Sequence, residues 1–148
     1  MNSPFSEARR AARAARDYAP LISLMPYARF LGVCIIEADG KPRSHLPYRP
    51  SLIGNTSIPA LHGGVTAAFM ENAALLQLLL TLEEDRVPKS VDFTIDYLKP
   101  GRPEDSYADC EISRAGQRVA QVAIRCWQRA PDQIIAIARG HFLLSSTE

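Results

Sequence analysis

The pattern of apolar and polar residues changes along the chain, and each pattern predicts a different element. Residues 58–82, IPALHGGVTAAFMENAALLQLLLTL, are apolar almost without interruption. This run predicts a helix that is buried on nearly all of its sides. From Ser90 to Tyr97 the period becomes two, because apolar residues alternate with Asp and Thr in SVDFTIDYLKP. That alternation predicts a strand with one solvated face, which stops at Pro100.

Turn signals divide most of the remaining chain into paired strands. Asp39 and Gly40 stand between two extended runs in FLGVCIIEADGKPRSHLPYRP, and this dipeptide is a strong hairpin signal. The stretch SLIGNTSIPAL has no clear period and several turn residues, so it predicts a loop that leads into the apolar helix. After Tyr97 we expect three more strands, with turns at residues 115–116 and 131–132.

The N-terminal stretch SEARRAARAARDY is rich in Arg and Ala, a composition also found in transit peptides. Glu7 and Asp17 interrupt it and no apolar stretch follows, so an amphipathic surface helix is the favoured interpretation. The Ser-Pro pair at residues 3–4 is typical of a helix start. We therefore divide the chain into an N-terminal amphipathic helical segment, residues 1–24, and a single domain, residues 25–148.

The predicted order is helix, strand, strand, long helix and four strands, joined mostly by short turns. An antiparallel sheet wrapped around one central helix satisfies this order and belongs to the α+β class. Because the helix is apolar on nearly all sides, we expect the sheet and a second copy of the chain to enclose it. The sequence therefore predicts a homodimer or a dimer of dimers.

Composition argues against several classes of partner. The chain has 148 residues, which suits one domain, and its 17 basic and 16 acidic residues give a net charge of +1. This balance gives no electrostatic reason to expect nucleic acid. The uninterrupted apolar stretches are too short for a membrane span, and Glu71 would lie near the middle of the bilayer. Three widely spaced cysteines are typical of a reduced, cytoplasmic protein.

Glu71 is the charge that the apolar helix does not explain. The residues three and four positions away from it are all apolar, so the carboxylate is either desolvated or opens onto a cleft. A purely structural alternative is a Glu that pairs with a core Arg or caps a backbone group. The residues at the helix start, LHGGV, favour a catalytic role for Glu71 over this structural alternative.

The first N–H groups of a helix have no intrahelical partner, and glycine lets another atom approach them closely. Such a helix start attracts anionic oxygen, as an oxyanion hole requires. Gly63 and Glu71 are eight residues apart, about 12 Å along a helix. Both can therefore act on one carbonyl group only if two chains meet.

HGGVTAAFMENAA resembles the helix motif of the hotdog-fold acyl-CoA thioesterases, in their phenylacetic-acid-degradation-type or PaaI-like branch. Other segments are similar in the same order: PYARFLGV to the family's first strand, LIGN to its pre-helix loop, VDFTIDYLKPG to its post-helix strand, and RAGQRVAQVAIRCW to its Gly-turn hairpin. The resemblance covers residues 26–144. It implies a hotdog fold, an antiparallel sheet around one central helix, here with an extra N-terminal helix, and hydrolysis of an acyl-CoA.

The resemblance also implies roles for single residues. Glu71 matches the family's catalytic carboxylate, which acts as general base on water or as nucleophile on the thioester carbonyl. Gly63 matches the amide of the oxyanion hole. Ser90 matches a Ser that faces the carboxylate in some relatives, although a hydroxyl at a strand start explains it equally well.

Two residues before the helix have alternative interpretations. His62 matches a family histidine that more often fixes the loop by hydrogen bonding than acts in acid–base catalysis. The family often has a polar side chain six residues before this histidine, where it helps to place water or the carbonyl. Thr56 stands at that position and Asn55 one residue earlier, so Asn55 takes this role only if the loop shifts.

Coenzyme A, as part of the substrate, is the ligand that the resemblance implies. Gly64 and Val65 lie beside the helix start and are candidates to bind it. Lys99, Arg114 and Arg118 lie at strand ends, where they either meet its phosphates or form a solvated rim. No separate cofactor is expected.

The sequence predicts no metal site, because His45 and His141 have no acidic or Cys partner at ligand spacing. Tyr97 and Trp127 are expected in the core. Apolar residues are expected to line the acyl pocket, among them Phe69, Met70, Leu75 and the Ile58-Pro59 loop.

Two other functions fit the same fold. A hotdog hydratase or dehydratase acting on enoyl thioesters also carries a helix carboxylate. It normally pairs that acid with a catalytic His, and it has a Pro-Gly helix entrance that LHGGV lacks. A non-catalytic acyl-CoA-binding module would keep the pocket without turnover, and the presence of both Glu71 and the glycines argues against it.

Overall fold

Three short helices open the chain in this computed structural model, which describes residues 3–83 and 86–146. They are α1, Pro4–Ala15, α2, Ala19–Ser23, and α3, Pro26–Leu31. Two paired strands follow, β1, Cys34–Ala38, and β2, Lys41–Leu46.

The loop before the long helix holds a 3-10 turn, Pro50–Leu52, and two very short strands, β3, Ile53–Asn55, and β4, Ala60–Leu61. β3 and β4 pair with each other, so the stretch predicted as a loop contains a small ladder. The long helix α4 spans Gly63–Thr81. Four strands complete the fold: β5, Arg86–Tyr97, β6, Ser106–Ala115, β7, Val119–Trp127, and β8, Ile134–Ser146.

The six longer strands form one antiparallel sheet in the order β1-β2-β6-β7-β8-β5, and α4 packs against it. Phe69 and Leu76 of α4 are buried in the same core as Val122 and Phe142 of the sheet. By length and hydropathy α4 would also suit a membrane span, but half of the segment is buried inside the fold, as is typical of a core helix. The chain has the hotdog fold, which confirms the predicted architecture.

The first hairpin also follows the prediction. Asp39 (φ 53°) and Gly40 (φ 74°) both have the left-handed backbone that a two-residue type I′ turn requires. The turn sets a register in which Cys34 lies opposite His45.

The segment PYARFLGV, expected to form the first strand, forms α3 instead. Pro26 occupies the first helical turn, where its missing N–H costs no hydrogen bond. Gly32 ends the helix in the left-handed conformation (φ 81°), and its N–H donates to the carbonyl oxygen of Ala28. A start signal and a stop signal thus enclose a six-residue helix, and the first strand begins only at Cys34.

The N-terminal helix α1 begins as predicted, with Ser3 accepting a hydrogen bond from the N–H of Ser6. One of its faces is buried, however, and this face includes a charged residue, Arg9, whose side chain is 0% exposed. α1 is therefore packed into the fold rather than only laid on its surface.

Arg9 joins α1 to the C-terminal end of α4. Its Nε donates to the carbonyl oxygen of Leu79 at 2.6 Å, its Nη2 to that of Leu82 at 2.9 Å and its Nη1 to that of Arg86 at 2.8 Å. Arg13 Nη2 adds a second bond to Leu79 at 2.9 Å. The last carbonyl groups of a helix lack intrahelical partners, and a cation is favourable near them. Arg9 therefore caps α4 from outside the helix.

Replacing Arg9 by Ala is expected to lower the free energy of unfolding by about 3 kcal/mol or more, because buried carbonyl groups lose a charged donor. Arg16→Ala is the matched control, since the Arg16 side chain is 60% exposed and has one surface ion pair with Glu37. Its expected cost is below about 1 kcal/mol. Denaturant unfolding measures both, and equal small losses would show that the Arg9 contacts do not stabilise the fold.

Candidate active site

Glu71 lies in the middle of α4 and is half-buried. Ser90 Oγ donates a hydrogen bond to Glu71 Oε1 at 2.8 Å. Within the described residues Glu71 has no ion pair, so it is not the partner of a core Arg. The Ser90 bond engages one carboxylate oxygen and leaves the other available to a ligand.

A β-bulge in β5 brings Ser90 to the helix. The register of β5 against β8 skips Val91, which is 63% exposed. Strict alternation would place Ser90 and Phe93 on opposite faces of the strand. The extra residue instead lets Ser90 reach Glu71 while Phe93 packs against the core. The predicted period of two is therefore wrong at Val91.

Glu71 borders a cavity of about 300 Å³ between α4 and the start of α3. Beside Glu71 and Asn72 the walls are largely apolar, as a site for an apolar group requires. The other lining residues are Met25, Pro26, Tyr27, Ala28, Ala68 and Leu75. The carboxylate thus opens onto a cleft, which is one of the two outcomes that the sequence allowed.

The walls of this cavity differ from those expected. Leu75 lines it, but Phe69 and Met70 are fully buried in the core and Ile58 is 60% exposed in the loop. The remaining walls come from α3 and the residue before it, because PYARFL folds as a helix beside α4. Sequence reasoning missed these residues, since it assigned the segment to a strand.

His62 fixes the start of α4. It is the N-cap residue, and its Nδ1 accepts a hydrogen bond from the N–H of Gly64 at 2.9 Å. A Cβ atom at Gly64 would lie 2.9 Å from His62 Nδ1, so this contact requires glycine. The N–H of Gly63 has no acceptor among the residues that the structure describes. It is the free donor that an oxyanion site needs.

Tyr97 holds the other side of this helix start. It is 54% exposed, and its Oη donates to the carbonyl oxygen of Gly63 at 2.7 Å. The prediction that Tyr97 lies in the core is wrong, because its hydroxyl and ring face the helix entrance. Gly63 and Tyr97 border a second cavity, of about 340 Å³, together with Thr66 and Lys99.

The two cavities have no lining residue in common. Glu71 and Ser90 form one half-site at the beginning of β5, and Gly63 and Tyr97 form another at its end. One chain therefore keeps the carboxylate and the free amide apart, as their helix spacing predicts.

Two of the other candidates are engaged by the fold itself. Asn55 Oδ1 accepts hydrogen bonds from the N–H groups of Ser57, at 2.9 Å, and Ile58, at 3.4 Å. This side chain closes a turn in the loop and does not border the Glu71 cavity. Val65 packs against the core.

The basic candidates are not gathered in one chain. Lys99 lies just beyond the end of β5, where its Nζ donates to Gln133 Oε1 at 3.3 Å. Arg114 and Arg118 are exposed on the β6–β7 hairpin, at the end of the sheet where β5 begins.

Both strand histidines have acidic partners that sequence spacing does not reveal, because strand register supplies them. His45 Nε2 lies 2.9 Å from Asp105 Oδ2, and His141 Nδ1 lies 2.7 Å from Asp92 Oδ1. Cys34 Sγ is 3.3 Å from His45 Nδ1, but burial, together with Asp105, raises the pKa of this thiol. Cys34 is thus protonated at neutral pH and a poor nucleophile. In residues 3–83 and 86–146 no three His, Cys, Asp or Glu side chains are grouped to hold a metal ion.

Comparison with known protein families identifies the family of this chain. Residues 59–135, more than half of the chain, match the model of the Thioesterase superfamily. The chain belongs to the thioesterase superfamily. The matched segment contains α4 and β5, and with them Glu71, Ser90, Gly63 and Tyr97 of this thioesterase.

Individual proteins of known sequence or structure are similar to this chain. Medium/long-chain acyl-CoA thioesterase YigI of Escherichia coli K12 is 33% identical over 111 residues, covering 65% of this chain and 71% of YigI. A Chromobacterium violaceum protein of known crystal structure is 39% identical, with a TM-score of 0.75 and coverage of 96% and 99% of the two chains. A phenylacetic acid degradation-related protein from Ralstonia eutropha reaches the same TM-score of 0.75 at 19% identity, covering 95% of this chain and 99% of its own. At that identity the likeness shows the fold alone.

Replacing Ser90 by Ala in this thioesterase is expected to lower kcat for thioester hydrolysis about tenfold, because Glu71 loses the donor that orients it. Stability should hardly change, since Ser90 is exposed. Ser113→Ala, which removes an exposed hydroxyl of β6 that has no bond to Glu71, is the matched control. Steady-state kinetics compare the two, and equal rates would show that the Ser90 bond does not matter to the reaction.

Proposed function

We propose that this thioesterase hydrolyses acyl-CoA to the free acid and CoA, with Glu71 acting on water and the Gly63 amide stabilising the oxyanion. The observation that carries the proposal is the Glu71 half-site, a carboxylate oriented by Ser90 at the wall of an apolar cavity. The name of YigI, an acyl-CoA thioesterase, supports the substrate class.

The chemistry follows from the groups present. Glu71 takes a proton from water as the water oxygen attacks the thioester carbonyl, and the carbonyl electron pair moves onto oxygen. A free N–H at a helix start stabilises that oxyanion. Collapse of the intermediate breaks the C–S bond, and the CoA thiolate leaves and takes up a proton. Direct attack by Glu71 on the carbonyl, followed by hydrolysis of the anhydride, uses the same groups.

A two-fold pairing of β5 strands would unite the half-sites. β5 is an edge strand, with β8 on one side and no described strand on the other. Two such edges pair antiparallel about a two-fold axis. An axis between Phe93 and Thr94 is equidistant in sequence from Ser90 and Tyr97. This axis places the Ser90 end of β5 in one chain opposite the Tyr97 end of β5 in its partner. The bulge changes this register by one residue.

The same pairing explains the dispersed basic residues. It would bring Lys99 of the partner subunit to the end of the sheet that carries Arg114 and Arg118. Phosphate groups of CoA bind such cations. A homodimer, or a dimer of dimers built from it, therefore completes both the catalytic groups and the anion site. We propose a cytoplasmic location on the composition of the chain.

The alternative hydratase is not favoured by the site. That reaction would pair the carboxylate with a histidine, and none of the residues bordering the Glu71 cavity is a histidine. The two-fold pairing would bring His62 of the partner subunit to this cavity beside the helix start, but Nδ1 of this residue already accepts a hydrogen bond from Gly64. The non-catalytic binding module is separated from an enzyme by the first experiment below.

Replacing Glu71 by Gln is expected to leave folding and acyl-CoA binding intact but to lower kcat by about 10²-fold or more, because the base is lost. A thiol reagent that detects released CoA, used with a panel of short, medium, long and aromatic acyl-CoAs, measures this. Glu111→Gln, an exposed carboxylate of β6, is the control. A folded Gln variant with normal turnover would exclude Glu71 as base or nucleophile, and an inactive wild type would favour the binding module.

Mixing Glu71→Ala with Gly63→Pro is expected to restore about a quarter of wild-type activity. Half of randomly paired dimers are mixed, and each mixed dimer has one intact site out of two. Proline removes the N–H and is tolerated at the first helical position, and His62 before it already has the extended backbone that proline requires (ψ 129°).

Gly63→Ala is the matched control, because it adds the same Cβ beside Tyr97 but keeps the N–H. It should retain activity. Mixed dimers are isolated with two different tags after co-expression, and each variant alone is checked for folding. If folded, isolated mixed dimers stay inactive, the two groups do not act across subunits.

A further inference from the structure

Asn72 follows Glu71 in α4 and borders the same cavity. It is 7% exposed, and its Oδ1 is buried without a hydrogen-bond donor within the described residues. One other side-chain atom of the described chain shares this condition, Arg13 Nε, which lies far along the fold at the α1–α4 contact.

An unpaired carbonyl oxygen is unfavourable in this position. Burial removes water from it, and no donor in residues 3–83 and 86–146 replaces the lost hydrogen bond. The neighbouring buried positions of α4 are filled by apolar residues such as Ala73, Ala74 and Leu76. An apolar residue at position 72 would avoid this unfavourable free energy. The amide is therefore better explained by a hydrogen bond to a ligand than by folding.

Asn72 is placed to act together with Glu71. Ala68 and Leu75 lie one helical turn before and after this pair and line the same cavity. Ala68 contributes only a methyl group to the wall of this cavity. No donor in the described part of the chain holds Asn72 Oδ1 in its present orientation, and the terminal torsion of Asn is soft. A rotation that exchanges the amide oxygen and nitrogen therefore brings the oxygen to the cavity.

We propose that Asn72 Oδ1 accepts a hydrogen bond from the water that attacks the thioester, an inference that rests on the proposed function. An orphan acceptor needs a donor, and the thioester carbonyl is itself an acceptor. Water has two protons, one for the Glu71 carboxylate and one for Asn72 Oδ1. Held between these acceptors, its lone pair points at the carbonyl carbon.

The step balances with these two acceptors. The water proton that is hydrogen-bonded to Glu71 transfers to the carboxylate as the C–O bond forms and the carbonyl electron pair moves onto oxygen. The second proton stays on the attacking oxygen, which becomes the hydroxyl of the tetrahedral intermediate and keeps its bond to Asn72. Asn72 therefore orients the nucleophile and gains or loses no proton.

The test is Asn72→Leu, which keeps the shape of the side chain and removes its polar atoms. Because no bond is lost in the substrate-free protein, Tm is expected to stay unchanged or to rise by up to about 5 °C. Hydrolysis of the best acyl-CoA of the panel should show kcat at least about tenfold lower with KM within about twofold. Gln77→Leu is the matched control, since Gln77 lies on the same helix but borders a different cavity.

Each other outcome decides against the proposal. Unchanged kcat shows that the amide does not touch the nucleophile. A rise in KM alone assigns Asn72 to a donor on the substrate, such as an amide N–H of CoA. A lower Tm shows that Oδ1 has a structural partner, for instance across the subunit interface. Should Leu prevent folding, Asn72→Ala is measured in the same way, with the same kcat loss expected and unchanged kcat contradicting the proposal.

Failure of this inference is distinguishable from failure of the proposed function. If Glu71→Gln is inactive and Asn72→Leu is fully active, the thioesterase mechanism stands and the role of Asn72 falls. If the wild type hydrolyses no acyl-CoA, both fall together.

Discussion

The enclosure of α4 is the constraint on which the rest of the structure depends. The helix has one charged residue in its 19 positions, so almost every side chain must be covered. The sheet covers one side, and α1 and α3 pack on others. Both ends of the helix are completed by side chains from outside its regular turns, His62 at the start and Arg9 at the end. Where this cover opens beside α3, Glu71 meets a cavity.

One helix thus provides two kinds of electrostatic help that cannot meet within a chain. Its start offers a free N–H and the positive end of the helix dipole, while its middle offers a carboxylate. A rigid helix fixes both groups without mobile loops, which suits a reaction that needs accurate placement of charge. With the proposed two-fold symmetry, the helix start of each chain meets the carboxylate of the other chain, and the dimer has two equivalent sites.

The order of elements was predictable because it depends on periods and turn residues. The long apolar run, the Asp39-Gly40 hairpin and the later strands all appear where local pattern predicts them. The α3 helix was not predicted, because PYARFL is short and resembles a family strand. Its helical conformation depends on the residues that begin and end it, Pro26 and Gly32. Glu71 was recognisable in the sequence as a charge in an apolar run. Its proximity to Ser90 was not, because it depends on a bulge that the alternating sequence pattern does not indicate.

Contacts between distant segments were the least visible in the sequence. Arg9 reads as one of several Arg residues on an amphipathic helix, yet it alone of the basic residues of α1 has a fully buried side chain in the described chain. His45 and His141 found acidic neighbours through strand register. Asn72 gave no sequence signal at all, since an Asn beside a Glu in a helix is ordinary, and only the count of hydrogen-bond donors around it marks it out.

The bulge at Val91 has a further consequence for how this chain avoids aggregation. A 12-residue edge strand with unpaired backbone groups is a template onto which unrelated extended chains can add. An extra residue interrupts the even spacing of those groups, so a regular strand meets a mismatch at this point. The residue that turns Ser90 toward the helix therefore also restricts which strands can join this edge.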